Sequence, residues 1–131
     1  MESTLKRTWC EIDLDALLHN YRTLRKRIGA GVKFLGVVKA DAYGHGAIEV
    51  SKALEKEGAD YLAVSSIDEA MELRVNGIKM PILILGHTPK EQVGRLIEYN
   101  ITQAGYSVFC SGEVLHQSAC AFGGQPSACS N

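Results

Sequence analysis

One lysine, Lys39, ends the apolar run Phe34-Leu35-Gly36-Val37-Val38 and is followed at once by Ala40-Asp41-Ala42-Tyr43-Gly44-His45-Gly46. The run reads as a buried strand and the two glycines mark the loop after it, which puts an amine at a strand's C-terminal end. In parallel α/β folds the loops at that end converge on a common mouth where ligand chemistry collects. An amine held among apolar neighbours loses hydration of its charged form, and a neutral lysine is the nucleophile that Schiff-base chemistry requires. The plainer alternative is a strand-ending lysine that reaches out to water. Tyr43 adds a phenolic hydroxyl on the same loop, and Asp41 is expected to orient the loop or to act electrostatically, without a catalytic part. Gly44 and Gly46 read as sources of backbone freedom, since neither a Gly-x-Gly-x-x-Gly nor a Walker pattern surrounds them. His45 and His87 both fall in loops at the same end of the sheet. Two histidines without a carboxylate partner are more commonly loop hydrogen-bonders than ligands, so no metal site is expected.

The elements that must hold this loop can be read in order. Trp9-Cys10-Glu11-Ile12 alternates like a short strand, and Asp13 is a good N-cap for a helix whose apolar stripe is Leu14, Leu17, Leu18, Tyr21, Leu24 and Ile28. Gly29 and Gly31 end that helix, and its terminal Lys26 and Arg27 suit the negative end of the helix dipole better than they suggest a binding patch. After the lysine strand, Ala47, Val50, Ser51 and Leu54 line a second helix stopped by Gly58. Tyr61–Ser65 reads as the next strand, and Ser66 with Glu69 as a capping box opening a helix that Gly77 closes. Ile82–Leu85 is a third strand. Thr88 as N-cap, Pro89 and Glu91 then predict a helix with Val93, Leu96 and Ile97 inward, and Ile101–Ala104 begins a fourth strand. Apolar strands joined by crossover helices imply a parallel sheet buried on both faces. Periodicity alone fits a barrel and a doubly wound sheet equally.

Composition narrows the class. At 131 residues the chain is one domain by length, well short of the roughly 250 residues of a complete barrel. A net charge of −1 gives no electrostatic case for nucleic acid or a membrane surface. No stretch reads as a secretory signal or a bilayer span, which makes a cytoplasmic location the default expectation. Cys10, Cys110, Cys120 and Cys129 lack zinc-site spacing and are expected to be thiols.

The ten residues Val37–Gly46 closely resemble the pyridoxal-phosphate attachment signature of alanine racemases, as does the run-in Thr8–Leu17. The resemblance extends from about residue 8 to residue 103 with elements in the same order. It implies an α/β fold that is an incomplete (β/α)8 TIM-type barrel, holding three to four N-terminal strand–helix units. It implies pyridoxal 5'-phosphate as cofactor, with Lys39 as Schiff-base lysine and one of two proton-transfer groups, and Tyr43 bonding the cofactor phosphate. The implied reaction interconverts L- and D-alanine, the latter a peptidoglycan precursor, in a cytoplasmic homodimer. The second acid or base in such enzymes is a tyrosine from the partner's C-terminal domain, so these 131 residues are not expected to racemise alone. Other barrel-type pyridoxal-phosphate proteins, a non-catalytic cofactor-binding or interaction fragment, and a small doubly wound sheet with Lys39 as an ordinary residue stay open.

From Gly105 the character of the chain changes. All 14 lysines and arginines lie before that point, and Glu113 is the sole acid after it. The expectation is a partial barrel domain over residues 1–104 and an atypical segment over 105–131, either a disordered polar tail or an out-of-frame or truncated continuation. The second is favoured, because the break falls inside a strand–helix unit.

Overall fold

The computed structural model describes residues 8–105. The expected atypical segment beyond Gly105 therefore lies outside the described residues. Helix α1 (Leu14–Ile28) is followed by β1 (Leu35–Val37), a short helical turn α2 (Lys39–Gly44), α3 (Ala47–Lys56), β2 (Tyr61–Val64), α4 (Ile67–Val75), β3 (Ile82–Ile84), a single 3-10 turn (Lys90–Gln92), α5 (Val93–Glu98) and β4 (Thr102–Gln103). Trp9–Ile12 forms no strand: these residues join no sheet, and Trp9 is 68% exposed.

The four strands are parallel and lie in the order β1-β2-β3-β4. This decides between the two architectures that periodicity left open. A doubly wound sheet reverses its strand order at a switch point, whereas a barrel adds each strand beside the last. Right-handed crossovers in a sequential order also bring every connecting helix to one side.

Pairing of Gly36 with Leu62, Leu62 with Ile82, and Val64 with Ile84 sets the face on which the helices pack. Leu62, Val64, Ile82 and Ile84 join Val50 and Leu54 of α3 and Ala70 and Leu73 of α4 in one core. Each of the leucine, isoleucine and valine side chains contributes about 1.5–3 kcal/mol of burial. Gly36 fits closely here: a Cβ would lie 2.8 Å from Leu54 Cδ1, so the leucine side chain would have to shift to admit one. The opposite face departs in part from the expectation of a sheet buried on both sides: Ala63 of β2 is fully buried there, but β1 is open. Leu35 and Val37 are 38% and 39% exposed, as they must be where only part of a barrel encloses the interior.

Local signals explain most helix ends. Asp13 caps α1 by accepting the Ala16 N–H at 3.0 Å, and Gly29, Gly58 and Gly77 leave helices at positive φ. Tyr21 of α1 packs edge-on against Phe34, 4.8 Å between centroids, and Arg22 pairs with Glu57 to tie α1 to the end of α3. The expected cap at Thr88 does not form. Its side chain is buried and donates to Gln103 Oε1 at 2.5 Å, joining the loop after β3 to β4, while Pro89 precedes the 3-10 turn that leads into α5. Arg74 binds the far end of this unit: its guanidinium donates to the carbonyls of Ile78, Met80, Tyr99 and Asn100. Burial lowers Arg74 from its ordinary value, against a smaller opposing pull from Glu55.

Candidate active site

Val38 ends the lysine strand, its N–H donating to Ala63 O of β2 at 2.8 Å. The chain then does something that its composition conceals. Ala40, Asp41, Ala42 and Tyr43 all adopt left-handed helical backbone, with φ of 50, 54, 51 and 56°. None is glycine, and left-handed helix costs L-residues roughly 1–2 kcal/mol each. Such strain persists only where surrounding bonds over-determine it, and it gathers at functional sites.

Those bonds are present. Ala42 N–H donates to Val38 O at 2.9 Å and Gly46 N–H to Asp41 O at 3.0 Å. The Asp41 carboxylate accepts the Ala47 N–H at 2.7 Å, capping α3, which is the loop-orienting part expected of it. His45 Nδ1 lies 2.9 Å from Ala42 O. From outside the loop, Glu69 of α4 accepts the Ala40 N–H at 2.8 Å.

Glu69 also reshapes the expected capping box. Ser66 Oγ accepts the Glu69 N–H at 3.3 Å, so the first half forms. The carboxylate's strong bonds go elsewhere, to Ser65 N–H at 2.7 Å, Ser65 Oγ at 2.8 Å and Ala40. Burial pushes the Glu69 carboxyl up, but the N–H groups of Ala40 and Ser65, the Ser65 hydroxyl and the Ser66 N–H together hold it below the ordinary carboxylate range.

Lys39 is half-buried at the mouth end of β1, less enclosed than an amine surrounded by apolar side chains. Tyr43 is 62% exposed. The left-handed turn brings the two together, with Lys39 Nζ 6.0 Å from the Tyr43 ring centroid. Around Gly44 and Gly46 nothing lies within 4 Å of a would-be Cβ, so the approach to the loop is open. A groove of about 300 Å³ runs on the α1 side of the turn, lined among others by Leu17, Tyr21, Phe34, Val37 and Tyr43; Lys39 is not among its lining residues. His45 and His87 follow different strand ends, and among the described residues no three His, Cys, Asp or Glu side chains are grouped to hold a metal. The described residues contain no helix long and apolar enough to cross a membrane.

An amine and a phenol thus stand on one strained turn, with open space beside them. Position-specific signals for Glu69 are weaker. Its partner Ala40 is 29 residues away, and no short motif links them.

Comparison with known proteins agrees with this geometry. The family model described as alanine racemase, N-terminal domain, matches residues 12–110. Alanine racemase 1 of Caldanaerobacter subterraneus subsp. tengcongensis is 47% identical over 85% of this chain and 29% of its own length. Alanine racemase 1 of Bacillus subtilis is 50% identical over 77% of this chain and 26% of its own. Among solved structures, alanine racemase from Clostridium difficile 630 superposes with a TM-score of 0.84 at 45% identity, over 92% of this chain and 32% of that one. The chain thus spans between a quarter and a third of the length of these relatives. With its signature loop at the end of the first strand and its strands in barrel order, this chain belongs to the alanine racemase family.

Proposed function

We infer that this chain carries the cofactor-lysine segment of a pyridoxal-phosphate-dependent alanine racemase, and that Lys39 and Tyr43 are its site residues. The observation that supports this most is the juxtaposition of the Lys39 amine and Tyr43 on one left-handed turn at the strand's C-terminal end. Pyridoxal phosphate, when bound, supplies the electron sink that stabilises a carbanion at the amino acid's α-carbon. Lys39 would hold the cofactor through its amine and, with that amine free, would take or return the α-proton of alanine on one face. Tyr43 would hold the phosphate by donating its hydroxyl, with Gly44 and Gly46 leaving room for it. Interconversion needs a second acid or base on the opposite face. By family resemblance that group comes from the C-terminal domain of a homodimer partner, so residues 1–131 alone are not expected to turn over alanine. On the same reading residues 1–104 are the barrel portion, residues 105–131 are atypical, the location is cytoplasmic and the product serves peptidoglycan precursors.

The test is to incubate the 131-residue chain with pyridoxal phosphate, reduce with borohydride and map the adduct by peptide mass. Preferential modification of Lys39, abolished by Lys39→Ala, is expected. Even modification of Lys39 and the exposed Lys52, Lys56 and Lys90 would sink the assignment.

A further inference from the structure

The left-handed turn that presents Lys39 is held from inside by Asp41 and His45, but its first N–H is held by a different element. We propose that Glu69 is the positioning residue of the Lys39 site: by tying the Ala40 N–H to the end of β2, its carboxylate fixes the direction in which the Lys39 side chain leaves the sheet. This rests on the functional reading given above.

The argument is geometric. A peptide unit is planar, so the N–H of Ala40 belongs to a rigid plate whose other end is the Cα of Lys39. Fixing that N–H fixes the plate, and with it the rotation about the bond that follows the lysine's Cα. Glu69 Oε1 accepts this N–H at 2.8 Å, while Oε2 accepts both the N–H and the hydroxyl of Ser65 at 2.7 and 2.8 Å. The residue itself is carried by α4, whose Ile67, Ala70 and Leu73 are buried in the core. One carboxylate thus references the lysine's peptide to β2 and to the best-packed part of the fold. Only an ionised carboxylate can do this with both oxygens. A glutamine offers a single acceptor oxygen, and its NH₂ would face an N–H donor, so one of the two anchors must be lost. The turn needs such an anchor because its left-handed residues tend to relax toward right-handed backbone.

Glu69 touches neither the amine nor the phenol, so its effect must be separated from simple loss of fold. Three variants serve: Glu69→Gln, Ser65→Ala, which removes one of the carboxylate's supporting donors, and Glu72→Gln, an exposed acid on the same helix, as control. Two quantities are read on the 131-residue chain: the preference of pyridoxal phosphate for Lys39 over Lys52, Lys56 and Lys90 after borohydride reduction, and hydrogen exchange of the Ala40 amide beside that of Ile82–Ile84. Glu69→Gln is expected to lower the Lys39 preference about tenfold, the scale of a misoriented reacting group, and to accelerate exchange at Ala40 with exchange at Ile82–Ile84 unchanged. Glu72→Gln is expected to alter neither. A preference within twofold of wild type, or losses at Ala40 and throughout β3 alike, overturns the proposal. Should Glu69→Gln not fold, Ser65→Ala decides: faster Ala40 exchange and a weaker preference uphold the proposal, and no change in either overturns it. Absence of any Lys39 preference in the wild-type chain removes the functional reading and this inference with it, whereas a preference that survives Glu69→Gln removes the inference alone.

Discussion

Gly86, just past the end of β3, stands against the carbonyl oxygen of Ser65 at the end of β2: a Cβ at position 86 would lie 2.1 Å from that oxygen. No relaxation of a flexible side chain can relieve this, since the oxygen belongs to the backbone and the Cβ position is fixed by it. Gly86→Ala is therefore expected to cost at least about 1–3 kcal/mol, the usual range for overpacking. Gly94 in α5 has nothing within 4 Å of a would-be Cβ, so Gly94→Ala is expected to stabilise by roughly 0.5–1 kcal/mol. Chemical denaturation of the two variants should shift the midpoint in opposite directions.

Replacing Arg74 tests the far end of the same sheet. Its fork donates to four carbonyls from the α4–β3 connection and the end of α5. Arg74→Met keeps the stem and orphans those acceptors, for an expected loss of about 2–4 kcal/mol. Arg74→Lys should recover only part of it, because an ammonium cannot reproduce the planar fork. Equal stability of the lysine variant and wild type in thermal unfolding would contradict this account.

Acid should weaken the fold through Glu69. Its carboxyl is held below the ordinary range, so the unfolded chain takes up the proton first as pH falls. The stabilisation it contributes is complete above its unfolded value of about 4.3 and is lost as pH drops through the lower folded value. Denaturation midpoints measured from neutral pH down through this window should fall for wild type, and Glu69→Gln should flatten that part of the slope.

Tyr43→Phe separates cofactor recognition from stability. The side chain is 62% exposed, so the unfolding free energy should stay within about 0.5 kcal/mol of wild type. Loss of one hydrogen bond to the phosphate, about 1 kcal/mol, should cut roughly fivefold the advantage of pyridoxal phosphate over phosphate-free pyridoxal in modifying Lys39. An unchanged ratio would leave the phosphate contact to other residues.

How far the sequence discloses the fold depends on how far apart the interacting residues are. Asp13 and Ser66 read correctly as caps because each bonds an N–H three residues ahead. Thr88 carries the same local signal, yet its hydroxyl is claimed by Gln103 across the β3–β4 boundary, where burial makes an unpaired amide oxygen costlier than an uncapped turn. Glu69 was legible only as half of a capping box, since its contact with Ala40 is tertiary. The hand of the turn after Lys39 is invisible to propensity altogether: Ala-Asp-Ala-Tyr has no glycine to announce positive φ, and hydrogen bonds accepted by Asp41 and Glu69 hold it. The proximity of Lys39 and Tyr43 is legible because the signature that contains them is contiguous.

The sequential strand order bears on how the chain is made. Among the described residues each strand pairs with its neighbours in the chain, so these pairings do not wait for a distant segment. As the polypeptide leaves the ribosome, β2 can dock on β1 once α3 has formed, and β3 on β2 after α4. The surface already assembled templates the next unit, which keeps loop closure short and limits the time any strand edge is left for wrong partners.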